Sequence, residues 1–238
     1  MQFQGVPDTL GQRDAAELAR SRQEAEKTPL APSQVERYLS PPGDSPYPLE
    51  YMFYLVGDVA GKDVLDLGCG IGEELVPLIY KGARVIGIDL SPELIDLAER
   101  RVAMQCAGFP TPQLFARSAY ETGLADRSLD MVFCSALLHH LDLPTVLKEI
   151  SRILRPGGRF IVREPVRFSR TLTKLRKLFP EHKDVSEYEH PLTREEYATI
   201  ARFFELREER AFRLPILPPG VAILPPCIAV CIWRIDGC

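Results

Sequence analysis

Between Asp63 and Arg163 the chain switches repeatedly between short apolar runs and stretches where apolar residues return every third or fourth position. Val64-Leu65-Asp66-Leu67, Arg84-Val85-Ile86-Gly87-Ile88-Asp89, Gln113 to Ala116, Asp130 to Cys134 and Arg159 to Arg163 predict strands. Between them, Leu75, Leu78 and Ile79 recur at helical spacing, as do Leu94, Leu97, Ala98 and Val102, and then Val146, Leu147, Ile150, Ile153 and Leu154. Ser91 predicts an N-cap with Pro92 at the first helical position, and Arg155-Pro156-Gly157-Gly158 predicts a helix stop. Strands alternating with crossover helices predict a parallel sheet covered on both faces, a doubly wound α/β fold.

The flanks read differently. Arg13 to Lys27 is charged and alanine-rich, with a thin apolar stripe of Ala16, Leu18 and Ala19, and predicts a helix docked on a neighbour. Of 21 prolines, 11 fall between Pro29 and Pro48 or between Leu214 and Trp233. The first of these stretches, with Pro41-Pro42-Gly43 and Pro46-Tyr47-Pro48, is incompatible with a helix or central strand. Leu49 to Val59 predicts a helix against the core. Thr193-Arg194-Glu195-Glu196 has capping-box spacing and opens a helix through Tyr197 and Ile200. Phe203 to Phe212 and Cys227 to Trp233 predict a closing antiparallel pair. The expected division is an N-terminal helical and proline-rich arm over residues 1–48, acting as a lid, and a domain over residues 49–238.

Charge removes one class of partner. The 238 residues carry 29 basic and 33 acidic side chains, so a basic footprint for nucleic acid is missing. Six scattered cysteines do not form a disulfide framework, and Met1-Gln2-Phe3-Gln4-Gly5 has no basic lead into an apolar run. The pattern reads as a reduced, cytoplasmic protein.

The sharpest chemical feature is Asp66-Leu67-Gly68-Cys69-Gly70-Ile71-Gly72, at the C-terminal end of the first strand. Ligands sit there in a doubly wound sheet, because glycine lets them approach backbone N–H groups. A dinucleotide loop needs G-x-G-x-x-G and an acid about 20 residues on for the ribose. Asp89, 21 residues after Gly68, meets the second condition, but Gly72 arrives one residue early and Glu73-Glu74 follow it. Carboxylates at a helix start repel the pyrophosphate that such a start otherwise attracts. The loop suits a nucleoside-like ligand without phosphate and with positive charge, which fits S-adenosylmethionine.

Val64 to Gly72 resembles the first motif of the class I S-adenosylmethionine-dependent methyltransferases. The resemblance continues through Gly87-Ile88-Asp89-Leu90-Ser91-Pro92, Leu138-His139-His140-Leu141 and Leu154-Arg155-Pro156-Gly157-Gly158-Arg159, in order, over about residues 60 to 165. It implies a Rossmann-like seven-stranded sheet with a reversed final hairpin and S-adenosyl-L-methionine as cofactor. It also implies Asp66, Gly68, Cys69, Gly70 and Gly72 around the methionine moiety, Asp89 on the ribose hydroxyls and Leu90 under the adenine. Ser118, Ala119 and Ser135 complete the implied cofactor site. Family members often place an acid near the adenine amino group after the third strand. Here Ser118 stands in that place, and its hydroxyl can accept instead, with Tyr120 stacking or packing nearby.

Methyl transfer from a sulfonium needs alignment, which supplies about 7–11 kcal/mol. A base is needed only where the acceptor must lose a proton. Ser135, His139, His140 and Glu164 follow the fourth and fifth strands and are the candidates. On one helix, His139 and His140 would point about 100° apart, so one at most is expected to face the pocket. Each also reads as a helix cap or backbone partner. Glu164, before Pro165, is expected on the substrate side, or else as a cap or the partner of an arginine. The segment Glu181 to Pro191, with His182, Glu187, Tyr188, Glu189 and His190, fits no metal template and is expected to belong to the pocket's lid. No metal is expected.

Two stretches bear on the acceptor. Six basic residues and one acid lie between Arg163 and Lys177, with Leu172, Leu175 and Phe179 at helical spacing. That pattern is an amphipathic surface helix or a contact with phosphate or anionic lipid. Leu214 to Trp233 is 20 residues without a charge, but five prolines and Gly220 exclude a simple spanning helix. It reads as a buried loop entering a terminal strand. Cys134-Ser135-Ala136-Leu137 does not resemble the Asn-Pro-Pro-aromatic motif of base amino methylation. The expected function is methyl transfer from S-adenosylmethionine to oxygen, nitrogen or carbon of a small apolar or amphipathic metabolite. The rival readings are an NAD-dependent oxidoreductase and a non-catalytic S-adenosylmethionine-binding regulator.

Overall fold

Every residue of the first strand after Asp63 is buried, which requires cover on both of its faces. The structure, a computed structural model, describes residues 10–166, 191–212 and 228–235. In chain order the elements are α1 (Leu10–Lys27), α2 (Glu36–Leu39), α3 (Pro48–Val56), β1 (Asp63–Leu67), α4 (Leu75–Tyr80), β2 (Arg84–Asp89), α5 (Pro92–Gln105) and β3 (Gln113–Ala116). They continue with β4 (Leu129–Ser135), a single 3-10 turn (Leu138–His140), α6 (Leu143–Ile153), β5 (Leu154–Pro165), α7 (Arg194–Ile200), β6 (Glu205–Phe212) and β7 (Ile228–Arg234).

The strands form one sheet in the order β3-β2-β1-β4-β5-β7-β6. The first five are parallel, and β7 runs antiparallel to both β5 and β6. This is the seven-stranded Rossmann-like sheet with a reversed closing hairpin. On one face Phe53 and Val56 of α3, Leu75 and Leu78 of α4 and Ala98 of α5 pack over Val64, Val85 and Phe133. On the other, Val146, Leu147 and Ile150 of α6 and Ile200 of α7 pack over Leu65, Val132, Phe160 and Trp233. At the strands' N-terminal edge, Arg155 bridges Asp63 and Asp130, at 2.9 and 2.8 Å. That network lies opposite the strand ends where ligands bind.

Several boundaries differ from the sequence reading for identifiable reasons. Pro48 lies inside α3, at its first position, where a missing N–H costs nothing, and Gly57 at φ +64° ends that helix early. Helix α6 stops at Ile153, and Arg155-Pro156-Gly157-Gly158 belongs to β5 instead of separating helix from strand. Gly157 N–H donates to Ile235 O and Ile235 N–H to Gly158 O, so the terminal strand draws this turn into the sheet. Most of the basic stretch after Arg163, the Glu181 to His190 segment and residues 214–227 of the uncharged stretch lie outside the described residues. Its remainder, from Ile228, is the buried β7. Among the described residues no helix is long and apolar enough to cross a membrane.

Candidate active site

The strand order reverses at β1, with β2 and β3 on one side and β4 and β5 on the other. Such a reversal opens a crevice at the strands' C-terminal ends. A cavity of about 400 Å³ lies there, bounded by the glycine loop, the ends of β2 and β3, the 3-10 turn and helix α1.

The glycine loop forms the floor. Gly68 N–H and Cys69 N–H both donate to Ile88 O, at 2.8 and 3.0 Å, which pins the loop to β2. Gly68 has φ +77°, and a Cβ there would lie 2.8 Å from Leu137 Cδ2. Gly72 has φ +79° and lies against Ala98, which lets α5 approach. Gly70, at φ +51°, would meet nothing within 4 Å, so its face of the loop is open. Gly70 N–H donates to Asp89 Oδ2 and Ser91 N–H to Asp89 Oδ1, both at 2.9 Å. Asp89 therefore fixes the loop and the start of α5 together, and a carboxylate is the group type that accepts from ligand hydroxyls.

Beneath the loop the electrostatics are acidic. Asp66 is 2% exposed, and its Oδ2 has no hydrogen-bond partner among the described residues. Burial, with Glu74 and Asp89 adding repulsion, pushes its carboxyl well above the usual range. Burial also raises Glu74, with Arg163 opposing. Glu73 faces Arg101 instead, at 3.7 Å. A buried acceptor without a donor among several carboxylates suits a cationic N–H donor and repels a pyrophosphate. The ammonium, sulfonium and ribose hydroxyls of S-adenosylmethionine fit this set of groups.

Two histidines form the far wall. Glu164 is fully buried. Its Oε1 accepts from Leu137 N–H and Leu138 N–H at 2.8 and 2.7 Å, and its Oε2 lies 2.7 Å from His139 Nδ1. Since the carboxylate accepts, Nδ1 carries the proton and the basic lone pair is on Nε2. The same clamp holds the tight bend after β4, where Ala136 takes φ +56°. His140 lies beside His139 with ring centroids 4.0 Å apart and the two rings tilted by 41°.

Helix α1 forms the roof. Ser118 Oγ donates to Asp14 Oδ2 at 3.0 Å, and Glu17 Oε2 lies 3.4 Å from His140 Nδ1. Arg22 pairs with Glu93 of α5 at 2.9 Å. Burial raises the Asp14 carboxyl, with the Ser118 bond opposing.

Of the residues expected at the cofactor, Gly68, Gly70, Asp89, Leu90, Ser118 and Ala119 line the cavity. Asp66, Cys69, Gly72 and Ser135 do not. Cys69 is buried, with its sulfur close against Gly87, and Ser135 Oγ accepts from Arg163 at 2.7 and 2.9 Å, facing along the sheet. Tyr120 is not one of the lining residues; its hydroxyl accepts from Asp142 N–H at 2.8 Å and braces the start of α6. His139 and His140 both reach the cavity, against the expectation of one, because the segment is a single 3-10 turn whose end the cavity wraps. Glu164 lies behind the wall, not on it. Sequence reasoning missed Asp14, Glu17, Arg20 and Ser21. Three of them, Asp14, Glu17 and Ser21, share a helical face by spacing, a signal that gives a polar face but not what it meets.

Comparison with known proteins agrees with this geometry. Residues 65–162 match the family model for a methyltransferase domain. An uncharacterized methyltransferase of Mycobacterium bovis is 33% identical over 117 residues, 49% of this chain and 45% of that protein. A ubiquinone biosynthesis O-methyltransferase of Aeromonas salmonicida is 30% identical over 119 residues, covering 50% of this chain and 49% of that protein. The chain thus spans about half the length of these curated relatives. The geranyl diphosphate C-methyltransferase of Streptomyces coelicolor A3(2) shares the fold, with a TM-score of 0.64 at 16% identity over 98% of this chain and 100% of that one. Over residues 65–162 this chain is similar to methyltransferase domains, in keeping with the resemblance carried by its glycine loop and Asp89.

Proposed function

We propose that this protein methylates an oxygen, nitrogen or carbon atom of a small apolar or amphipathic acceptor, and that the His139–His140 pair takes the acceptor's proton. When bound, S-adenosylmethionine supplies an electrophilic methyl group on a sulfonium sulfur. Gly68, Gly70 and Asp89 would hold it, with the buried Asp66 carboxyl beneath the loop, and helix α1 of the arm covers the acceptor side. One observation carries the reading: a fully buried carboxylate, Glu164, orients His139 at the wall of the cavity that Asp89 also lines. A base fixed in this way needs only an acceptor hydroxyl, amine or acidic C–H within reach. Relatives named for ubiquinone and geranyl diphosphate support a small-molecule acceptor. The basic residues between Arg163 and Lys177 support peripheral contact with anionic lipid, which co-sedimentation with phosphatidylglycerol vesicles measures.

Glu164→Gln tests the reading with little change of shape. The glutamine amide would donate to His139 Nδ1 and force the ring proton onto Nε2, the wrong tautomer for a base. Labelled methyl transfer to a panel of phenols, quinols and amines is expected to fall by about 10²–10⁴. S-adenosylhomocysteine affinity by calorimetry is expected to stay within about twofold, since no cofactor contact is altered. Unchanged transfer by the variant would remove the histidine pair from the mechanism. Binding without transfer by the wild type to any acceptor would favour the regulator, and binding of NAD the oxidoreductase.

A further inference from the structure

The cavity wall holds two imidazole–carboxylate pairs of different origin. His139 meets Glu164, a residue of the sheet, and His140 meets Glu17, a residue of the N-terminal arm. We propose that Glu17 is a positioning residue for His140, so that docking of α1 sets the tautomer and charge of the second imidazole. This rests on the reading of the histidine pair as the proton acceptor.

Three sets of contacts place Glu17 where it is. Asp14, one turn earlier on the same face, meets Ser118 at 3.0 Å. Arg22, further along the helix, pairs with Glu93. The chain after α1 is tied down by Arg101, whose side chain is 1% exposed. Its guanidinium donates to Ser33 Oγ at 3.0 Å and to Ile71 O of the glycine loop at 2.9 Å. Gln105 closes a second pair of bonds to the Ser33 backbone, at 2.8 and 3.2 Å. The root of the arm and the glycine loop therefore share one buried anchor, while the helix itself reaches across to the histidines.

Glu17 and His140 are 31% and 13% exposed, enough shielding from water for the carboxylate to favour the imidazolium. The charged groups around the same cavity are Asp14 and Arg20 on α1, His139 on the 3-10 turn with Glu164 behind it, Asp89 at the end of β2 and Arg117 after β3. Glu17 Oε2 lies within 4 Å of His140 Nδ1. With Nδ1 turned to Glu17, the carboxylate favours a proton on that nitrogen, at a longer distance than the 2.7 Å of the His139–Glu164 pair.

The experiment is a pH titration of the imidazole nitrogens by NMR in the full chain, with and without S-adenosylhomocysteine. Glu17→Gln is expected to weaken proton binding at His140 by about threefold to tenfold. His139, 4.0 Å away between ring centroids, should shift by less than His140, and S-adenosylhomocysteine affinity should change less than about twofold. Glu17→Asp should restore part of the shift. A His140 titration identical to the wild type, or an equal shift at His139, would overturn the proposal. The Glu17→Gln shift without methyl transfer to any acceptor leaves the coupling standing and removes the proposed function. Transfer with an unshifted titration does the reverse.

Discussion

On the floor of the cavity, backbone groups set the shape: Gly68 and Cys69 N–H on Ile88 O, Gly72 N–H on Cys69 O and Gly70 N–H on Asp89. On the roof, side-chain pairs make the contacts described above: Asp14 with Ser118, Glu17 with His140 and Arg22 with Glu93. The floor's partners lie within about two dozen residues of one another, whereas Asp14 and Ser118 are 104 apart. Backbone hydrogen bonds in a loop of positive-φ glycines leave few alternatives once the flanking strands have formed. Part-exposed side-chain pairs are individually weak and compete with water. The difference assigns rigid cofactor binding to the floor and adjustable acceptor-side cover to the roof.

The largest expected effect breaks the floor. Asp89→Ala removes an acceptor for two ligand hydroxyls, worth about 1.5–3 kcal/mol each. S-adenosylhomocysteine should bind at least about a hundredfold more weakly by calorimetry. Because Asp89 also holds Gly70 and Ser91 N–H groups, denaturant midpoints should fall as well. Unchanged affinity would place the ribose elsewhere.

A smaller effect separates two floor glycines. Gly68→Ala meets both a left-handed backbone and Leu137, and chemical denaturation should show a loss of about 2–4 kcal/mol. Gly70→Ala has open space and carries only the backbone term, about 1–2 kcal/mol. Equal losses would mean that Leu137 yields freely and the floor is softer than its hydrogen bonds imply.

The smallest effect belongs to the roof. Docking raises the Asp14 carboxyl, so the docked helix binds protons more tightly than the undocked one. Docking is therefore favoured at low pH and weakens as pH rises from the normal carboxylate range to the raised value. Hydrogen exchange of α1, corrected for intrinsic rates, should show protection falling by less than about threefold across that window. Asp14→Asn should flatten the dependence. A pH response retained in that variant would assign it to another group.

Much of the floor was legible in the sequence. Gly68, Gly70 and Gly72 after an apolar run, with Asp89 after the next, are local signals, because strand, turn and helix each answer to residues a few positions apart. The Ser91 N-cap is likewise local and is present, Leu94 N–H donating to Ser91 Oγ. Ser135 was read as a ligand contact from its place at a strand end. Nothing local announced that Arg163, its register partner on β5, would take its hydroxyl.

The chain's sequence by itself determined the alternating strands and helices, the glycine loop and the acid that follows it, because periodicity and positive-φ turns are properties of neighbouring residues. Tertiary structure alone decided which carboxylate each histidine meets, that both rings reach one cavity, and that Asp14 and Glu17 lie over it. Those contacts join residues far apart in the chain, and a side chain's partner depends on how whole elements pack, which no local pattern encodes.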